Sequence, residues 1–179
     1  MVRIVIAGSR FFNDYKTLEE VVIRKLFELN KTYPEYNILT VRRSEKSYKI
    51  NPENIEIISG MASGADSLAV KFANNCGLKL VEFPAEWKNL NAVPCKIMEN
   101  SHGRYNALAG HNRNRQMAEY ATSDDTFGVL ILFWDGKSKG SKNMKNQGRT
   151  FYACVLDEGQ NMKNQAIIFG MKIFEFFIR

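Results

Sequence analysis

The most apolar positions of the chain fall into short runs that are rich in Val, Ile and Leu. Such runs occupy residues 2–7, 55–59, 78–83 and 129–134, and each of them stops at a glycine, a proline or an aspartate. Apolar runs of this length are typical of strands buried on both faces. A shorter run around Ile38 to Val41 predicts one more strand, and "MKIFEFF" at 171–177 predicts the last one.

Between these runs the apolar positions take helical spacing. A stripe from Leu18 to Leu29 follows Thr17 and Glu20, which have capping-box spacing and predict the start of a helix. Glycines predict a second helix from near Gly64 to Gly77, and "HNRNRQMAEYA" at 111–121 predicts a third. Residues 85–110 are predicted to form a long loop. Strands that alternate with helices indicate an α/β fold with a mainly parallel sheet.

Composition narrows the class of protein. The 179 residues suit one domain over 1–179, with 45% hydrophobic and 25% charged residues. No apolar run reaches the roughly 18 residues that a membrane helix needs, so we expect no membrane partner and a cytoplasmic location. Three cysteines and two histidines favour neither a disulfide framework nor a metal site. The net charge of +6 favours anionic partners without identifying one.

The tail contains a near repeat. "NMKNQ" stands at 143–147 and again at 161–165. If Met144 were joined directly to Lys163, a conventional helix would lead into the last strand. We therefore predict an insertion around 145–162, in the form of extra helix or a helical hairpin. The alternative is that the two copies of this mostly polar stretch match by chance.

Three strand ends carry residues suited to an anion. "AGSR" places Gly8, Ser9 and Arg10 after the first strand, and "SGMASGAD" follows the second. In parallel sheets ligands bind at the carboxyl ends of the strands, near a switch in strand order. Glycines let the backbone approach a ligand, and helix N-termini attract anions. Asp66 either caps its helix or contacts the ligand.

The third strand end, "WDGKSKGSKNM", lacks the Walker A spacing but can form a nest of backbone amides for phosphate. Five basic residues and no acid lie between Lys137 and Arg149. Arg113 and Arg115 fall near a helix start, where a bound anion would offset their unfavourable interaction with the helix dipole; an ion pair with Glu119 or Asp124 is the alternative. Trp87 has a ring that can stack on a base.

Taken in order, "VIAGSRFFNDY", "IISGMASGADSLAVKFA", "FPAEW", "AGHNRNRQMAEYA" and "LILFWDGKSKGSKNM" resemble the short YspA-like members of the SLOG superfamily, which are found in bacteria and phages. The superfamily also contains the Smf/DprA and LOG proteins. The resemblance implies a Rossmann-like three-layer fold that binds nucleotides or nucleotide-derived molecules, including ADP-ribose-like ligands. The ligand-binding residues that it implies, together with Trp87, are Gly8, Ser9, Arg10, Gly60, Ser63, Gly64, Asp66, Arg113, Asn114, Asp135, Gly136, Ser138, Gly140 and Ser141.

Two positions depart from the family pattern. Met61 stands where a glycine is frequent, and no glutamate follows Ser141 where the LOG hydrolases carry their catalytic one. We therefore predict a binding module that senses or sequesters a nucleotide derivative and requires no cofactor. A hydrolase of an N-glycosidic or phosphate bond, using Asp66, Glu86 or Asp135 as general acid or base, is the first alternative. Binding of single-stranded DNA is the second, and self-association of the chain stays open.

Overall fold

The computed structural model describes residues 1–124, 126–157 and 172–177. It contains strands and helices in the alternating order that the sequence predicts. In chain order they are β1 (Val2–Gly8), α1 (Tyr15–Thr32), β2 (Leu39–Arg42), β3 (Ser47–Ile50), β4 (Ile55–Ser59), α2 (Ala65–Cys76), β5 (Lys79–Glu82), β6 (Ile97–Asn100), β7 (Gly103–Asn106), α3 (Ala109–Ala121), β8 (Phe127–Trp134), α4 (Lys139–Asp157) and β9 (Lys172–Phe177).

The main sheet is parallel throughout and has the order β5-β4-β1-β8-β9. The chain first adds strands on one side of β1 and then crosses over to place β8 on the other side. The order therefore reverses between β1 and β8, which is the switch point where parallel α/β sheets leave a crevice for ligands. The predicted α/β fold of Rossmann-like type is confirmed.

Alternating side chains of the central strands form a core on each face of the sheet. Ile4 and Ile6 point to the face covered by α1 and α2, where Phe72 is fully buried. Val5 and Ala7 point to the opposite face, which is covered by α3 and the start of α4. Three layers result, and the two pairs of helices hold the strand ends in place.

An ionic cluster around the buried Glu56 lies at the amino ends of the strands, at the opposite end of β1 from Gly8. Glu56 on β4 accepts hydrogen bonds from Arg3 on β1, from Lys79 on β5 and from Tyr120 on α3. Burial raises the pKa of Glu56, but its three donors together outweigh burial and hold the pKa below the ordinary value.

Three local expectations need correction. The N-cap of α1 is Asp14, whose carboxylate accepts from the Thr17 amide, so Thr17 lies inside the helix and is not its cap. The predicted loop at 85–110 contains the antiparallel hairpin β6–β7. The predicted strand around Ile38 to Val41 is confirmed as β2, but its hairpin partner β3 was missed.

The first "NMKNQ" copy lies inside α4, which continues through Gly148 to Asp157. The second copy, at 161–165, lies outside the described residues, so the insertion stays a prediction. No helix in the described ranges is long and apolar enough to cross a lipid bilayer.

Candidate functional site

A cavity of about 350 Å³ opens at the carboxyl ends of β1 and β8, at the switch point of the sheet. We call it the central cavity. Its walls come from the turns after β1 and β4, from the first turns of α3 and from the start of α4. The lining residues are Ala7, Gly8, Arg10, Ala62, Asp66, Trp87, Ala107, Gly110, His111, Arg113, Asn114, Ser138, Gly140, Ser141 and Met144.

A second depression of about 380 Å³, the neighbouring cavity, adjoins it. Arg10, Ala62, Trp87 and Arg113 line both. The neighbouring cavity is completed by two short segments, residues 60–63 and 84–85. The shared walls make the two cavities parts of one cleft, with two arginines at their junction.

Arg10 and Arg113 are the two arginines at this cleft. The positive charge of Arg10 is the one that other protein groups neutralise less. Arg10 is exposed, and within the described part of the chain its guanidinium makes no hydrogen bond or ion pair. It nevertheless lies close enough to Asp66 and Arg113 to influence the pKa of both. Its donors are therefore available to an anion in either cavity.

Arg113 projects from α3 and forms a buried pair with Asp66 on α2, with 3.1 Å between Nη1 and Oδ2. The same nitrogen donates to the carbonyl of Gly60. A Cβ at Gly60 would overlap the guanidinium, so the absence of a side chain at Gly60 makes room for Arg113. Asp66 also accepts from the Ala62 amide at 3.3 Å, and so it fixes the turn after β4.

Both members of this pair have shifted pKa values. Burial raises the pKa of Asp66 above its ordinary value, although Arg113 and the Ala62 amide partly offset the effect. Burial likewise lowers the pKa of Arg113, and the charge of Asp66 partly offsets it. An arginine remains protonated throughout the useful pH range, so the cleft keeps two guanidinium charges.

The start of α4 supplies neutral donors. Ser141 is buried, and its hydroxyl and that of Ser138 lie 3.1 Å apart at the wall of the central cavity. Asn114 donates from α3 to the carbonyl of Gly140 and thereby ties the two helices together. The N-terminal turn of α4 carries no acidic residue, so the partial positive charge of this helix end beside the cavity is not offset from within the helix. The Ser141 amide is bound by the Ser138 hydroxyl.

Asp135 does not line either cavity. Its carboxylate accepts from the amides of Ser138 at 2.7 Å and Lys137 at 2.9 Å. These bonds lower the pKa of Asp135 below its ordinary value. The side chain therefore shapes the turn before α4. Ser9 reaches the same carboxylate at 3.4 Å from the β1 turn.

The structure brings most of the predicted site residues together. Those at the cleft are Gly8, Arg10, Gly60, Ser63, Asp66, Trp87, Arg113, Asn114, Ser138, Gly140 and Ser141. The predicted residues that line neither cavity are Ser9, Gly64, Asp135 and Gly136. At Gly64 φ is +78°, and a Cβ would collide with the backbone of Ser9 and Arg10, so this glycine lets two turns touch each other.

Glu86 lies apart from the cleft. It lines a separate depression of about 230 Å³, and its carboxylate accepts from Asn89 at 2.8 Å. Arg115 borders the same depression and lies 3.7 Å from Glu119, which is the ion pair that the sequence offered as the alternative to anion binding. Of the three carboxylates offered as alternatives for a general acid or base, Asp66 therefore lines the cleft, whereas Glu86 lies outside it.

Sequence reasoning missed several residues at the cleft. His111 lies three positions before Asn114 on the same helix face, and that spacing was the available signal. Ala107, Gly110 and Met144 carry no polar group that would have marked them. Within the described residues no group of three or more His, Cys, Asp or Glu side chains is placed to share a metal ion.

In a comparison with protein families, residues 2–90 match the family model described as the YspA, cpYpsA-related SLOG family. The matched segment includes the turns after β1 and β4 and extends to Trp87. Comparison with curated proteins and with solved structures gives no significant match. The parallel sheet, its switch point and the glycine-rich turns agree with the family match, and the chain belongs to the SLOG superfamily.

Proposed function

We propose that this protein binds a nucleotide or a nucleotide-derived molecule in the cleft, and thereby senses or sequesters it. Membership of the SLOG superfamily suggests a nucleotide-related role. The proposal that the ligand is a nucleotide or a nucleotide derivative depends mainly on Arg10. This arginine has no hydrogen-bonding partner among the described residues and lies at a cavity beside a helix N-terminus. We assign this role to the cytoplasm, in keeping with the free thiols of Cys76 and Cys95.

The chemistry of the cleft matches a phosphorylated ligand. Arg10 offers a planar set of donors that fits phosphate oxygens. The hydroxyl of Ser138, which accepts from Ser141, adds a neutral donor. Backbone amides at the start of α4 favour a negative charge. The volume of about 350 Å³ lies within the usual range for small-molecule sites. The rest of the ligand then extends toward Trp87, whose ring is 40% exposed.

Binding is favoured over hydrolysis because each candidate carboxylate already has partners. Asp66 is paired with Arg113, Asp135 is held by two backbone amides, and Glu86 lies outside the cleft. A general acid or base must come within hydrogen-bond reach of the reacting bond. Asp66, which lines the cleft, already accepts at Oδ2 from Arg113 and from the Ala62 amide. The proposal therefore requires no catalytic residue and no cofactor, and its partner is the small molecule itself.

Isothermal calorimetry with ADP-ribose, ADP, GDP and UDP tests the proposal. We expect at least one of these to bind, and we expect Arg10→Met to weaken that binding about tenfold or more, because a charge-assisted hydrogen bond is lost. Arg42→Met is the matched control, since it removes an equal charge from the exposed β2–β3 hairpin. Failure of folded wild-type protein to bind any of the four, or equal effects of the two variants, would contradict the proposal.

A further inference from the structure

The turn after β4 contains an unusual backbone conformation at Met61. Its φ is +58°, in the left-handed region that glycine, asparagine and aspartate tolerate best. Four non-glycine residues in the described ranges have positive φ, and two of them, Asn37 and Asp124, are of the tolerant types. Met61 and Lys46 are not. A methionine in this conformation costs free energy that a glycine would not.

Neighbouring side chains hold Met61 in this conformation. The Met61 amide donates to the Ser59 hydroxyl at 3.2 Å, and that hydroxyl donates to the carbonyl of Asp66. The next amide, that of Ala62, is bound by the Asp66 carboxylate. Local strain of this kind persists where the surroundings over-determine it, often at binding sites.

The side chain of Met61 belongs to neither of the cores on the two faces of the sheet. It is 40% exposed and lines the neighbouring cavity together with Trp87, which is exposed to the same extent. Pro84 and Ala85 add further apolar surface, while Arg10 and Arg113 provide the polar side, which leads into the central cavity. The neighbouring cavity thus combines two large exposed apolar side chains with an opening toward the phosphate-suited region.

We propose that Met61 is a specificity-determining residue of the cleft, and that it forms, with Trp87, the subsite for the planar aromatic ring of the ligand. This inference rests on the proposed function, because it assumes that the other end of the ligand is the phosphate. Thioethers and indoles both make favourable contacts with aromatic rings. The cost of a methionine at positive φ is then accounted for by a contact with the bound base.

Met61→Gly separates a role in binding from a structural role. Relief of strain should stabilise the protein, whereas loss of the ligand contact should weaken nucleotide binding. Removing the side chain relieves the left-handed conformation and keeps the backbone amide that binds Ser59. We expect the melting temperature to stay equal or to rise by about 1–3 °C. We expect the affinity for the tightest binder among ADP-ribose, ADP, GDP and UDP to fall about three- to tenfold.

Two controls accompany the variant. Lys46→Gly makes the same change at a positive φ of 50° in the exposed β2–β3 hairpin, and should leave nucleotide affinity unchanged. Inorganic pyrophosphate has no ring, so wild type and Met61→Gly should bind it equally. Trp87→Ala should reduce nucleotide affinity by about tenfold, in line with loss of a base stack.

The outcomes distinguish the inference from the proposed function. Nucleotide binding with unchanged affinity in Met61→Gly would overturn the inference alone. An equal loss for nucleotide and pyrophosphate would overturn it too, because the turn rather than the side chain would then matter. Absence of any nucleotide binding in the folded wild type would overturn the proposed function and the inference with it.

Discussion

Replacing Arg113 by Met leaves the carboxylate of Asp66 without its guanidinium partner. Asp66 is 4% exposed, and the side chain of Arg113 is 12% exposed, so solvent screens this pair weakly. In the variant Asp66 keeps the Ala62 amide at 3.3 Å and the more distant charge of Arg10. Methionine retains most of the aliphatic volume, so the change is mainly electrostatic.

The size of the effect has a ceiling. Breaking a buried ion pair by removing one partner costs about 3–5 kcal/mol. The Asp66 carboxyl, left without its partner, can instead take up a proton. At pH 7 this protonation costs at most about 4 kcal/mol, because pH 7 lies about three units above the ordinary aspartate pKa of about 3.9. We therefore expect Arg113→Met to lower the free energy of unfolding at pH 7 by at most about 4 kcal/mol. The loss is smaller than this ceiling because the raised pKa of Asp66 already lowers the stability of the wild type.

The loss of stability in Arg113→Met depends on pH, and the direction of this dependence follows from the pKa of Asp66. Burial already holds that pKa above its ordinary value, and removal of Arg113 raises it further. A carboxyl whose pKa is higher in the folded protein than in the unfolded chain keeps full stability below the unfolded pKa and loses it as the pH rises toward the folded pKa. At pH 5 the loss should therefore shrink to about 1–2 kcal/mol.

Urea unfolding at pH 7 and pH 5 measures both quantities. Arg115→Met is the matched control on the same helix, because its half-exposed ion pair with Glu119 is worth at most about 1 kcal/mol. Adding Asp66→Asn to Arg113→Met should restore much of the stability at pH 7. A loss below about 1 kcal/mol, a loss independent of pH, or no rescue by the second substitution would refute the reasoning.

Three further predictions concern other contacts. Gly60→Ala should lower the free energy of unfolding by about 1–3 kcal/mol in a denaturant titration, because its Cβ overlaps a guanidinium, whereas Gly140→Ala, with open space around the added atom, should be tolerated. Glu56→Gln should cost about 2–3 kcal/mol at pH 7. Because the pKa of Glu56 is lowered on folding, this difference from wild type should persist above the ordinary glutamate pKa of about 4.3 and fade as the pH falls through the lowered pKa of the folded protein. Asp14→Ala should lower the melting temperature by about 2–4 °C through loss of the N-cap, while Glu20→Gln should leave it nearly unchanged.

The sheet was predictable because its strands are buried on both faces and so leave unbroken apolar runs in the sequence. The hairpin β6–β7 was missed for the opposite reason. Residues 97–100 are all exposed, so no core imposes an alternating pattern on them. The N-cap was misplaced because Asp14 and Thr17 both precede the apolar stripe with plausible spacing, and the actual hydrogen bonds decide between them.

The site was predictable as a set of turns, but its internal contacts were not. Glycine-rich strand ends in a parallel sheet converge by topology alone, which placed Gly8, Arg10 and Ser138 near one another. The pair of Asp66 with Arg113 joins residues 47 positions apart, and no local pattern encodes it. No local pattern therefore indicated that Gly60 also accommodates the side chain of Arg113; its predicted approach to a ligand stays a prediction.

Mass spectrometry of the small molecules released by denaturing the natively purified protein tests the central claim most directly. The account predicts a phosphate-bearing nucleotide derivative in the wild type, its loss from Arg10→Met, and its retention in Arg42→Met. Recovery of the same molecule at equal occupancy from wild type and Arg10→Met, or of a ligand that carries no phosphate, would contradict the account.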